Sequence, residues 1–266
     1  MKKTAIVMCI LAAGFAGAQA LPGWTLVWSD EFDKPGLPDA AKWTYEKGFV
    51  RNKEAQYYTA ARKENARVED GKLIIEGRKE AYKGPDGKTA QYTAASVTTE
   101  GLFATTYGRV EVRAKLPKGR GMWPAIWMLG TNIHAVGWPK CGEIDIMEAV
   151  GHEPSKVFAT VHWFGVEKGK HASLGGNLSG QAPADGFHVY AVEWFAERMD
   201  FYYDQNKYFT YPVDKAGAGD KNPFHKPHYL LMNLAIGGSW GGQKGIDDSV
   251  FPQTCEIDYV RIYQKK

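Results

Sequence analysis

Arg109-Val110-Glu111-Val112-Arg113-Ala114-Lys115-Leu116 decides the architecture. Charged and apolar residues alternate through it without a break. Successive side chains of a strand point to opposite faces, so the segment has one charged face and one apolar face. That is a half-buried strand, as found in an antiparallel sheet with one wet side. Working outward, similar short runs occupy residues 24–28, 72–79, 142–148, 157–164, 188–195, 199–204, 228–236 and 255–263. Turn residues separate them: Asp70-Gly71, Pro117, Gly119, Gly121, Pro139, Gly151, Pro154, Asp204-Gln205-Asn206 and Gly237-Gly238. Almost no stretch carries a helical period. The chain therefore reads as all-β, a sandwich of two antiparallel sheets. Residues 165–186 are polar and glycine-rich and read as a long surface loop, and 214–224 as another.

Composition removes several classes. With 44% hydrophobic and 24% charged residues the chain is not disordered. Its 30 glycines and 13 prolines follow no short period, which excludes a collagenous chain. A length of 266 residues suits one all-β domain. The net charge of +3 is too small to argue for nucleic acid. Lys2 and Lys3, an apolar or small stretch over 4–17, and Ala18-Gln19-Ala20 read as a signal peptide over residues 1–20. Its apolar run is short for a membrane span. Residues 21–266 are then expected to form a single catalytic β-sandwich domain, secreted to the periplasm or beyond, monomeric, with no membrane attachment after cleavage. Cys141 and Cys255 are left as either a disulfide or two buried thiols.

The chemistry concentrates in Cys141-Gly-Glu143-Ile-Asp145-Ile-Met-Glu148-Ala-Val-Gly151. Glu143 and Asp145 share one strand face. A regular strand would turn Glu148 toward the core, where an unpaired carboxylate is costly. A one-residue bulge near Ile146-Met147 resets the phase and returns Glu148 to the face of Glu143. At about 3.3 Å per residue the two backbones then stand roughly 13 Å apart. Inward-leaning side chains bring the carboxyls to roughly 5 Å, the spacing of retaining rather than inverting glycosidases. Three carboxyl groups on one face cannot all ionise easily, so Asp145 is expected to hold or share a proton.

Aromatic residues surround this segment in sequence. Trp123, Trp127, Trp138 and Trp240 lie close to it or beside glycine or proline, and sugar rings stack their C–H faces on such side chains. Trp28, Trp43 and Trp194 sit in apolar runs and read as core. Asn52, Arg113, Gln56, Tyr57 and Tyr58 are candidate partners for sugar hydroxyls, and His162 is placed in the cleft beside Glu148 or else in a structural role. No histidine spacing suggests a catalytic zinc.

Gly142-Glu143-Ile-Asp145-Ile-Met-Glu148 resembles the signature of glycoside hydrolase family 16 in its laminarinase-like form. Trp28–Phe32, Asn52–Thr59, Gly121–Leu129, Thr160–Trp163, Leu231–Trp240 and Phe251–Tyr263 resemble further family segments, in the family's order. The resemblance implies a β-jelly-roll with an open concave cleft and retaining endo-hydrolysis of β-1,3-glucans, with mixed-linkage β-1,3-1,4-glucans as a further candidate substrate. It implies Glu143 as nucleophile, Glu148 as acid/base and Asp145 as assisting carboxylate. It also implies a structural calcium at Glu31, Gly71 and Asp258, and no cofactor for catalysis. The bulged spacing is shared with agarose- and carrageenan-cleaving relatives, so a galactan hydrolase is the alternative enzyme. A β-glucan-binding protein without catalysis is the alternative outside enzymes.

Overall fold

A computed structural model describes residues 21–165 and 169–266. The segment read as a signal peptide, residues 1–20, lies outside the described residues. Strands are numbered along the chain. One sheet has seven, in the spatial order β12 (Lys170–Ser179), β11 (Lys156–Gly165), β10 (Glu143–Glu148), β9 (Met122–Gly130), β16 (His228–Ile236), β7 (Ser96–Thr98) and β2 (Thr44–Tyr45). The other runs β15 (Asn206–Pro212), β14 (Arg198–Tyr203), β13 (His188–Trp194), β8 (Gly108–Lys115), β17 (Gln253–Lys265), β5 (Lys72–Lys83), β6 (Thr89–Ala94) and β3 (Gln56–Tyr58). Its remaining two strands are β1 (Trp24–Asp30), paired with β17, and β4 (Ala66–Glu69), paired with β5. The two sheets stack as a β-jelly-roll sandwich. Helix among the described residues is confined to short pieces such as α1 (Ile133–Val136) and α2 (Gly238–Gly241), and none is long and apolar enough to cross a membrane.

Strand alternation explains the core. Val110, Val112 and Ala114 of β8 are fully buried, as are Ile144 of β10 and Val157, Ala159 and Val161 of β11. Each such valine or isoleucine side chain contributes about 1.5–3 kcal/mol by leaving water. The opposite face of β8 carries charge that is paired in place. Arg109 donates to Glu111 Oε2 through Nε (2.9 Å) and Nη2 (2.8 Å), and Tyr259 donates to Glu111 Oε1 at 2.8 Å.

That outward face corrects the expectation for Arg113. It sits on β8, in the sheet opposite the catalytic segment, and its Nη1 donates to Asp258 Oδ2 at 2.5 Å. Alternation showed that Arg113 points away from the core, but not which sheet it belongs to. Two segments also differ from expectation. Within the region read as a long loop, Lys170–Ser179 forms β12, an edge strand whose side chains alternate between exposed and half-buried. Its glycines mask a strand signal and have packing reasons: a Cβ on Gly176 would lie 2.8 Å from the Phe209 ring of β15. Strand β9 lies mid-sheet despite Pro124, which cannot donate to a ladder. Pro124 lies one residue beyond Ala125, the partner of the last residue of β10. Cys141 and Cys255 are separate buried thiols, and burial pushes them up to about 11 and about 12.

Candidate active site

The expected bulge is present in β10. Its register shifts between Asp145 and Met147 against β9, and between Asp145 and Glu148 against β11. Ile146 and Met147 are both fully buried, so two consecutive residues face the core. Glu148 is thereby returned to the face of Glu143 and Asp145, and all three line a cleft of about 460 Å³. The sheet supplies a rigid base: β9 and β11 flank β10 on either side.

Each glutamate is held by a tryptophan. Trp138 Nε1 donates to Glu143 Oε2 at 2.6 Å, and Trp123 Nε1 donates to Glu148 Oε1 at 3.0 Å. Trp138 is 49% exposed and offers a bare ring to solvent; Trp123 is buried at 8%. Trp127 is set by a chain of hydrogen bonds. Its Nε1 donates to Asn233 Oδ1 (2.8 Å), Asn233 Nδ2 donates to the Tyr58 hydroxyl (3.0 Å), and that hydroxyl donates to Glu54 Oε2 (3.2 Å). Asn52 lines the cleft and donates to Glu54 Oε1 at 3.3 Å. Trp240 lies at the cleft's margin, edge-on to Trp123 (5.6 Å) and Phe158 (4.9 Å).

His162 is opposite Glu143 on β11, not beside Glu148 as expected. Its Nε2 lies 3.1 Å from Asp145 Oδ2 and 3.9 Å from Glu143 Oε1. The first contact is close but off the line of a hydrogen bond, and Asp145 Oδ2 stays without a hydrogen-bond partner. His162 Nδ1 pairs with His171 Nε2 at 2.8 Å. Burial, and then the neighbouring His162, hold His171 below the usual histidine value.

The electrostatics follow from crowding. Burial, and then the Asp145 charge, push Glu143 up to about 8, against the pull of His162 and the Trp138 N–H. Burial and Glu148 drive Asp145 well above the carboxylate range. Burial pushes Glu148 up to about 7; the Trp123 N–H opposes this and the Glu143 charge adds to it. The three groups are close enough to titrate as one cluster, and crowding disfavours ionisation of all three together. Where the charge sits depends on burial and on the donors. Burial and the neighbouring carboxyl charges, with values of about 8 and about 7, hold the proton longer on Glu143 than on Glu148; the shorter indole bond (2.6 Å against 3.0 Å) and the imidazole 3.9 Å away oppose that order and favour the charge on Glu143 and the proton on Glu148. A carboxylate beside a carboxylic acid, facing a cleft walled with tryptophans, has the parts for nucleophilic attack and proton transfer at one bond.

Other expected residues fall elsewhere. Gln56 and Tyr58 are buried behind Glu54 and do not line the cleft; Gln56 Nε2 donates to Glu54 Oε2 at 2.7 Å. Tyr57 packs against Phe49 and Tyr82. Sequence reading missed Arg51, which pairs with Glu46 and stacks 4.7 Å from the Trp127 ring centre. It also missed Glu54 and Asn233, both in the cleft wall. Arg51 and Glu54 adjoin Asn52 in a segment already under suspicion, which was the available signal.

The positions expected to hold calcium converge on one stretch of β17. Asp30 pairs with Val260 and Leu73 with Ile257, so Glu31, Gly71 and Asp258 surround the shift in register at Asp258. The donor chemistry suits calcium. Both carboxylates, however, are already matched: Glu31 receives Arg261 Nε (3.0 Å) and Nη2 (2.8 Å), and Asp258 receives Arg113.

A jelly-roll whose inner sheet aligns two glutamates beneath tryptophan walls is built as a polysaccharide-cleaving glycoside hydrolase. The chain belongs to glycosyl hydrolases family 16, whose family model matches residues 52–261. It is 44% identical to a β-glucanase of Rhodothermus marinus, over 99% of this chain and 95% of that protein. The crystal structure of the laminarinase from Rhodothermus marinus superimposes with a TM-score of 0.83 at 46% identity, covering 93% of this chain and all of that one. SCLam, described as a non-specific endo-β-1,3(4)-glucanase, superimposes at 0.84 with 44% identity, covering 92% of this chain and 93% of its own.

Proposed function

We infer that this glycoside hydrolase is a retaining endo-β-1,3-glucanase of laminarinase type that also accepts mixed-linkage β-1,3-1,4-glucans. The observation that carries the reading is the placement of Glu143 and Glu148 on one face of a bulged strand, each fixed by an indole N–H. Glu143, ionised, attacks the anomeric carbon. The glycosidic C–O bond breaks, and Glu148 gives its proton to the departing oxygen. Water then attacks the same carbon, its proton passes to Glu148, and the bond to Glu143 breaks. Asp145 keeps a proton between the two glutamates and so confines the cluster's charge. Trp123, Trp127 and Trp138 supply ring faces, and Asn52 an amide, to the glucan.

Cleavage of laminarin, barley mixed-linkage glucan, agarose and carrageenan side by side tests the reading. Laminari-oligosaccharides from laminarin support it. Release of sugars from a galactan alone would overturn the substrate but keep the carboxylates, and binding without cleavage would overturn the enzyme. Residues 1–20 are proposed as an export signal removed after Ala20, leaving a secreted monomer; N-terminal sequencing of exported protein checks the cleavage point. A structural calcium at Glu31, Gly71 and Asp258 is supported by their convergence on β17. To bind it, both carboxylates must give up their arginines.

A further inference from the structure

Two of the three carboxyl groups and one imidazole form a group that sugar cleavage does not use as a unit. Among the described residues, Glu143, Asp145 and His162 bring one donor atom each to within 4.8 Å of one another. We propose that these three side chains form a binding site for a divalent transition-metal ion of the zinc type, and that the bound ion holds the enzyme in a reversible inactive state.

Two neighbouring strands build the site, so no local histidine spacing announces it. Glu143 and Asp145 share the outward face of β10, and His162 lies opposite Glu143 on β11. His162 Nε2 stands 3.1 Å from Asp145 Oδ2 and 3.9 Å from Glu143 Oε1. Zinc bonds of about 2.0–2.2 Å to imidazole and carboxylate set neighbouring ligand atoms about 3.3 Å apart in a tetrahedron. The edge between His162 and Asp145 is already close to that spacing, and the Glu143 carboxylate closes the triangle by turning inward. Glu143 and Asp145 line the cleft, so the fourth position of the ion faces solvent.

A second observation is independent of this triangle. Asp145 is 3% exposed, yet its Oδ2 has no hydrogen-bond partner. An orphaned buried carboxylate oxygen is costly, and an ion between it and the His162 ring supplies the missing partner. The outer contacts suit the same role. His162 Nδ1 and His171 Nε2 lie 2.8 Å apart, and in the neutral pair one hydrogen lies between them. With that hydrogen on His162 Nδ1, the Nε2 lone pair points at the carboxylates, as a ligating imidazole requires. The contact with Asp145 agrees, because an Nε2–H would be expected to lie on the line to that oxygen. Trp138 Nε1 donates to Glu143 Oε2, which leaves Oε1 as the atom facing His162.

The donor set selects the ion. Calcium and magnesium take oxygen ligands, whereas imidazole suits zinc, copper and nickel. The site therefore differs in chemistry from the oxygen donors of Glu31, Gly71 and Asp258. A dication held here occupies the carboxylate that attacks the anomeric carbon, and it stands where the sugar must lie. Metal and glucan then compete for one place, and the fold is unchanged.

The test uses the full mature chain, stripped with a chelator, and the metals alone. Cobalt(II), whose visible absorption reports a four-coordinate site, is added first, and zinc is titrated calorimetrically; neither step contains glucan. One zinc per chain should bind and displace the cobalt. Laminarin cleavage should be inhibited competitively by zinc and restored by the chelator. His162→Gln removes the nitrogen ligand and should abolish the cobalt band. His171→Phe changes a residue of an edge strand, keeps a ring against Trp138 and removes the nitrogen that orients His162. Its zinc affinity should fall about 10–100-fold, as for loss of an outer partner of a ligating histidine. Wild-type affinity in either variant overturns the proposal, as does the absence of a cobalt band in the unaltered protein or zinc that binds without inhibiting. Metal binding is read without substrate, so a failure of the β-1,3-glucanase reading appears separately, as no laminarin cleavage before any metal is added.

Discussion

Replacing Trp138 with phenylalanine keeps a ring over His171 and removes one N–H. That N–H lies 2.6 Å from Glu143 Oε2 and bonds best to the ionised form. A hydrogen bond to a charged acceptor contributes about 1.5–3 kcal/mol. The lower end applies here, because Trp138 is 49% exposed and water replaces part of the loss. One pKa unit corresponds to about 1.4 kcal/mol, so Glu143 should rise by about one unit. Glu143 must be ionised to attack, and the acid limb of kcat/KM reports that ionisation in the free enzyme. The limb therefore moves to higher pH by about one unit, and the rate on its acid side falls about tenfold. The wild-type limbs should lie in the neutral range set by a cluster pushed up to about 8 and about 7, not near an ordinary carboxylate. The assay is kcat/KM on laminarin from pH 4 to 9 for both proteins, at constant ionic strength. An acid limb that stays in place in Trp138→Phe would refute the assignment of the charge to Glu143.

Three other perturbations probe separate parts of the account. Deleting Met147 removes the bulge and leaves Glu-Ile-Asp-Ile-Glu on a regular strand, with both glutamates still on one face. The variant should lose about 2–5 kcal/mol with the buried side chain but keep measurable laminarin cleavage, whereas a folded and wholly inactive variant would count against the bulge argument. Arg113→Ala should leave KM for laminarin unchanged and cost under about 1 kcal/mol in denaturant unfolding, as expected for a partly exposed ion pair; a tenfold rise in KM would return Arg113 to the cleft. If calcium binds at Glu31, Gly71 and Asp258, chelation should lower the melting temperature while activity at moderate temperature is spared. An unchanged melting temperature after calcium depletion would reject that site.

How far the sequence carried the reading depends on which force fixes each residue. The bulge in β10 was legible because burying Glu148 is costly, and only an extra residue avoids it. The strict alternation of residues 109–116 made β8 certain as a strand, but alternation has no information about which sheet a strand joins, so Arg113 was misplaced. Strand β12 was hidden because its two central glycines answer to tertiary contacts: the Ala159 carbonyl on one side and Phe209 on the other. Pro124 concealed β9 because a central strand normally excludes proline, and only the end of the β10 ladder makes room for it. Within the site, the carboxylates and Trp123, Trp127 and Trp138 were readable from residue chemistry. Arg51 and Glu54 were not, since their places come from the hydrogen bonds and stacking of a loop folded against Trp127 and Tyr58.

The central claim is double displacement by Glu143 and Glu148 on a β-1,3-glucan. Following the first seconds of laminarin cleavage by proton NMR tests it most directly, because the anomer formed first records the stereochemistry before mutarotation. The account predicts new reducing ends that appear as the β-anomer and drift to equilibrium. Reducing ends that appear first as the α-anomer, or no new reducing ends at all, would contradict it.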